Sequence, residues 1–139
     1  LIRYGTNEKS VGLMVYHPIT KTLFAGGNLS NTKIPDIENR NIDEWLESIE
    51  KIKKLPLRKV VPDYGTVIVD FNKLDTEIYL KTLKNQVQTM YYQSKSLFET
   101  IDIVSLTPFA DWTSYDSNHQ KNVQATYLQV ELDDFELSP

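Results

Sequence analysis

The sequence predicts a mixed α/β fold of the α+β kind, and three observations carry that reading. Val11 to His17 alternates apolar and polar positions, turns at Pro18 to Thr20, and returns over Lys21 to Ala25, which is the pattern of a β-hairpin. Later segments place apolar residues at helical spacing behind Asn, Ser or Pro punctuation. The order is hairpin, helix, strand, then three helices, so the chain is not a βαβ repeat.

Leu1 to Tyr4 is a short apolar run ending at Gly5 and reads as a strand; Thr6 to Ser10 is polar loop. In the hairpin, Val11, Leu13 and Val15 share one face, with Met14 and Tyr16 on the other. Gly26-Gly27-Asn28 ends its second strand, and Asn28 to Arg40 reads as a long loop. Asn41 opens a helix, with Glu44 at the capping-box position. Ile42, Trp45, Leu46, Ile49 and Ile52 form its apolar stripe, and Pro56 closes the region. Lys59 to Val61 is a further strand stopped by Pro62, and Val67 to Val69 is a candidate extended segment.

Leu74 to Tyr92 is a long helix, with Leu80, Leu83, Val87, Met90 and Tyr91 at helical spacing. Ser96 with Glu99 opens a short helix through Ile101 and Val104, and Pro108 ends that region. Ser117 with Gln120 is the start signal for the last helix, which carries Val123, Tyr127 and Val130 on one face. Asp133, Asp134 and Glu136 read as an acidic, solvated tail.

The 139 residues suit one domain, here 1–139. A net charge of −4, with lysines and arginines scattered, lacks the basic stripe of a nucleic-acid binder. No segment reaches the roughly 18 consecutive apolar residues of a membrane helix. The absence of cysteine excludes disulfides and thiolate zinc sites. A chain beginning at Leu1 reads as a fragment or processed form. There is no G-x-S-x-G, no phosphate-binding glycine loop and no cysteine nucleophile.

Individual residues read blandly. His17 is an exposed turn residue, and His119 a structural hydrogen-bonding group at the start of the last helix. Trp45 belongs to the core, and Trp112 is either core or pocket lining. Tyr91-Tyr92 packs at the core edge.

One set of spacings is more specific. It comprises Gly5-Thr6-Asn7-Glu8-Lys9, then Leu23-Phe24-Ala25-Gly26-Gly27-Asn28-Leu29, Asp43-Glu44-Trp45-Leu46, and Val60-Val61-Pro62-Asp63-Tyr64-Gly65. Ser94-Lys95-Ser96-Leu97-Phe98-Glu99 and His119-Gln120-Lys121-Asn122-Val123, with Tyr127 and Glu131, complete it. In order and spacing these resemble the second half of the metallo-β-lactamase superfamily, with its "GHT" loop, "F-x-G-D" hairpin, Trp-bearing helix and "PGHG" loop. The tail resembles the sub-group found beside periplasmic quinoprotein oxidases.

The resemblance implies half of an αβ/βα sandwich: a mixed sheet with helices on one face and the other face open. It implies a second-half zinc ligand set whose positions fall on Glu8, Gly27 and Tyr64. Glu8 alone could ligate. Gly27 has no side chain, Tyr64 is a poor neutral-pH ligand, and Asp63 is a weak substitute. The expectation is therefore no catalytic or metal site and no cofactor: a structural or interaction module that has lost its zinc. The rival is part of a metal-dependent hydrolase, with zinc completed by an N-terminal half. The open face is expected to be covered by that half, by a second copy in a dimer, or by another protein. A periplasmic location follows from the resemblance alone.

Overall fold

The computed structural model describes residues 2–4 and 12–138. Four strands form one mixed sheet in the order β1-β2-β3-β4. They are β1 (Ile2–Tyr4), β2 (Gly12–His17), β3 (Thr22–Gly26) and β4 (Lys59–Pro62). β1 and β3 both pair antiparallel with β2, whereas β4 runs parallel to β3. The hairpin is present as expected. The parallel β4 arrives through a crossover containing α1 (Ile42–Lys53). Ile68 adds an isolated antiparallel bridge to Val60, so the Val67–Val69 segment is extended at its centre.

The sheet is buried on one side. Met14, Leu23, Ala25 and Val60 are fully covered, and Tyr16 is half-buried. Against them stands a helical layer: α1, α2 (Asp75–Tyr92), α3 (Leu97–Ile103) and α4 (Tyr115–Leu137). The apolar stripe of α1 is buried at Ile42, Trp45, Ile49 and Ile52. Asn41 caps it by accepting hydrogen bonds from the Asp43 and Glu44 amides at 2.9 and 3.1 Å. Ser96 and Glu99 make the reciprocal capping box that opens α3. α1 ends at Lys53, before Pro56 is reached.

Three expectations need correction. α4 starts at Tyr115, not at a Ser117 cap: the Ser117 hydroxyl lies inside the first turn and donates back to the Ser114 carbonyl at 3.2 Å. Pro108 does not simply end a region but sits within a short 3-10 turn, Thr107–Phe109, whose missing amide proton that position tolerates. The acidic tail is helical, since α4 runs on to Leu137, and Asp134 accepts a hydrogen bond from the Tyr91 hydroxyl at 3.1 Å.

A polar chain runs through the core between the helices. The His119 Nε2–H donates to the Val104 carbonyl at 2.8 Å, which leaves Nδ1 as the acceptor from the Tyr79 hydroxyl at 2.9 Å. The Asn122 amide donates to that same hydroxyl at 3.1 Å and to the Pro35 carbonyl at 2.7 Å, and its oxygen accepts from the Ile37 amide at 3.0 Å. The chain thereby ties the loop after β3 to α2 and α4.

Candidate functional site

Two places on the molecule follow from the sequence reading: the sheet edge that should gather the ligand positions, and the open sheet face. β1, β3 and β4 point the same way, so their C-terminal ends share one edge. Tyr4 pairs with Gly12, and Gly26 with Pro62. The loops after β3 and β4 therefore leave from the edge at which β1 ends. Glu8 lies outside the described residues.

Gly27 sits at the tip of β3. A side chain added there would meet nothing within 4 Å, so the position is open rather than filled. Asn28 is buried and its side chain is engaged in hydrogen bonds. Its amide donates to the Ala25 and Leu13 carbonyls at 2.7 and 3.3 Å, and its oxygen accepts from the Arg40 guanidinium at 2.8 Å. The Asn28 carbonyl accepts from the Trp45 indole at 3.0 Å. Arg40 then lies over the Trp45 ring, 3.3 Å from its centre. Burial pulls the Arg40 pKa down to about 10, which still leaves it charged at neutral pH. This cluster clamps the β3 turn through the same Trp45 whose place is the core.

The β4 loop is held in a similar way. The Asp63 amide donates to the Leu29 carbonyl at 3.0 Å, and its carboxylate pairs with Lys33 at 3.3 Å. Tyr64 accepts a hydrogen bond from the Thr113 hydroxyl at 3.1 Å, and the Lys33 ammonium stands 5.6 Å from its ring centre. The Tyr64 carbonyl accepts from the Asn31 amide at 2.9 Å. Gly65 is required here: its φ is +91°, and a side chain would come within 2.6 Å of the Asn31 Cβ. Both loop residues therefore have partners other than a metal. Among the described residues, no three His, Cys, Asp or Glu side chains come together as a metal-binding group.

The remaining candidates fall where the sequence puts them. His17 is exposed, its Nδ1 2.9 Å from the Thr20 hydroxyl. His119 is buried, with both ring nitrogens engaged. Trp112 is half-buried, edge-on to Phe109 at 4.7 Å, and so belongs to the core margin. Tyr91 and Tyr92 meet edge to face at 5.5 Å, with Tyr92 outermost. Sequence reasoning missed Arg40, a cation at the end of a polar loop. Nothing local marks it, because its partners, Asn28 and the face of Trp45, become neighbours only after folding.

The open sheet face is apolar. Val15 pairs with Phe24, and Phe24 with Val61, which makes a row across three strands. Leu13 is 50 % exposed, Val15 45 % and Phe24 48 %. Because Ile68 shares the buried side with Val60, its neighbours Val67 and Val69 extend the open face, at 49 and 72 % exposed. Contiguous apolar surface of this kind marks an interaction site more often than a solvated wall. No helix among the described residues is long and apolar enough to cross a membrane.

Models of known protein families, scanned against the chain, give no match, and no curated protein matches it.

Proposed function

We propose that this chain is a non-catalytic interaction module, built on a metallo-β-lactamase-like half-sandwich, that docks its open sheet face on a second sheet. The row Val15–Phe24–Val61 carries the reading. A flat, apolar β surface is matched by another sheet packed about 10 Å away. The side chains at the ligand positions support the non-catalytic part. Asn28 is buried and hydrogen-bonded, Asp63 is paired with Lys33, and Tyr64 is hydrogen-bonded to Thr113.

The test replaces Val15 and Phe24 together by Glu. Both are about half exposed, so the reading expects an unchanged circular-dichroism spectrum and a Tm within a few degrees of the parent. Binding of a hydrophobic dye, and any self-association, should fall at the same time. A loss of stability on the scale of a core substitution would show that the face is already covered within the chain, and would end the proposal.

One observation favours a second reading, a metal-dependent hydrolase completed by residues outside this chain. The ends of β1, β3 and β4 share an edge, and the space beside Gly27 is open. Elemental analysis after dialysis against zinc and then buffer separates the two. Retained stoichiometric zinc that disappears in Asp63→Ala or Glu8→Ala supports the hydrolase; zinc washed out completely supports the module.

A further inference from the structure

A second unpartnered surface lies on α4, away from the sheet. The helix buries His119, Asn122, Val123, Thr126, Tyr127 and Val130 against the rest of the molecule. Its outward side carries Lys121, Ala125, Leu128, Leu132 and Phe135, whose spacing alternates between four and three residues. That is the a/d spacing of a coiled-coil seam, and a helix buried on one face does not need it on the other. Leu128, Leu132 and Phe135 are 48, 55 and 78 % exposed. Lys121, Ala125, Leu128 and Leu132 form one wall of an open groove of about 530 Å³, lined also by Glu38, Gln124 and Gln129. Gln129 stiffens the groove: its amide donates to the Arg40 carbonyl at 2.7 Å and its oxygen accepts from the Ile42 amide at 3.0 Å.

Charge selects the occupant. The positions flanking the seam hold Glu131 and Glu136, and Glu38 stands on the opposite wall, against the single cation Lys121. A second copy of α4 would double this carboxylate excess across one seam. In a parallel pairing it would set Glu131 against Glu136 of the other copy, which repels. A helix with an apolar stripe and basic flanks meets both the leucines and the carboxylates. We infer that the outer face of α4, together with the Glu38 wall, is a docking groove for a basic amphipathic helix.

The probe is a synthetic four-heptad peptide with Leu at its a and d positions and Lys or Arg at e and g. Its binding to the full chain is measured by fluorescence anisotropy at low and at physiological salt. The inference expects saturable one-to-one binding that weakens with salt. It expects at least tenfold weaker binding by the double variant Leu128→Gln, Leu132→Gln, and by Glu131→Lys, Glu136→Lys. A peptide with the same seam and Glu flanks should bind at least tenfold more weakly. These positions are exposed, so the variants keep the parent's circular-dichroism spectrum, and Val15→Glu, Phe24→Glu binds the peptide normally. Equal binding by the Leu variant, or loss in the sheet-face variant instead, overturns the inference. So does a sedimenting mass of two chains that Leu132→Gln returns to one.

Discussion

His119 shows how a single buried residue couples the fold to pH. It is 3 % exposed, it donates to Val104 through Nε2, and its Nδ1 accepts from Tyr79; protonating Nδ1 would take away the acceptor of the Tyr79 hydroxyl proton. Burial holds its pKa below the usual histidine value, against a smaller upward pull from the Val104 carbonyl. The unfolded chain, with an ordinary histidine pKa near 6.5, therefore binds a proton that the native state refuses. Stability from this group is complete above about pH 6.5 and is lost as pH falls below it, by up to ~1.4 kcal/mol per pH unit. Urea midpoints measured between pH 8 and pH 5 should decline on the acid side of about 6.5. The His119→Gln variant should show a flatter profile over that range, at a lower starting stability. A parent profile flat to pH 5 would contradict the assignment. The sequence announced a hydrogen-bonding histidine at this place but not its partners, because Tyr79 and Val104 reach it only through the packing of α2 and the α3 terminus on α4.

At the scale of elements, agreement between sequence and structure follows how local the signal is. The α1 start is local: Asn41, two acidic residues and an apolar stripe act within one turn. Asn41→Ala removes an acceptor shared by two amides and should destabilise the chain by about 1 kcal/mol, read as a shift in the urea midpoint with no change of slope. The hairpin is equally local, and its alternation fixes which face is buried. The α4 start is not local. Ser117 and Gln120 have the right spacing, yet the helix begins earlier because its preceding residues are set from outside. Thr113 bridges to Lys33 and donates its hydroxyl hydrogen bond to Tyr64, Ser114 takes a left-handed conformation, and Tyr115 stacks on His119 at 4.6 Å. A capping residue competes poorly with a backbone already directed by tertiary pairing. The ligand-edge loops belong to this class too. Gly27 and Tyr64 are visible as departures from a motif, but the Arg40–Trp45 clamp and the Lys33–Asp63 pair are assembled from residues far apart in the chain.

Across the whole molecule, Glu77 is the charge on which the helical layer turns. It stands in the first turn of α2, where the helix dipole favours an acid. Folding buries it to 7 % side-chain exposure between Lys53, at the end of α1, and Lys81, one turn along α2, at 2.5 and 2.6 Å. Burial pushes its pKa up, but the hydrogen bonds and charges of Lys53 and Lys81 outweigh that and hold it below the ordinary glutamate value. A depressed carboxylate contributes stability above the unfolded glutamate pKa, near 4.3, and loses it as pH falls through the folded value. This places a second acid-side loss beneath that of His119. The Lys81 partner is more than half exposed and adds little, whereas Lys53, 26 % exposed, is the partner that joins two helices. Glu77→Gln keeps the shape but leaves Lys53 only the more exposed Glu50, 3.5 Å away, so it should destabilise by about 2 kcal/mol, short of the 3–5 kcal/mol typical of fully buried pairs. Lys81→Ala should change stability by less than about 1 kcal/mol. Urea unfolding at pH 7 of Glu77→Gln, Lys53→Met and the double variant measures the coupling directly. The double variant should recover part of the loss, because removing both partners strands neither charge. Strictly additive single effects would mean that the α1–α2 contact does not depend on the Lys53–Glu77 pair and is carried by the Asp43–Lys84 pair and the buried faces of the two helices.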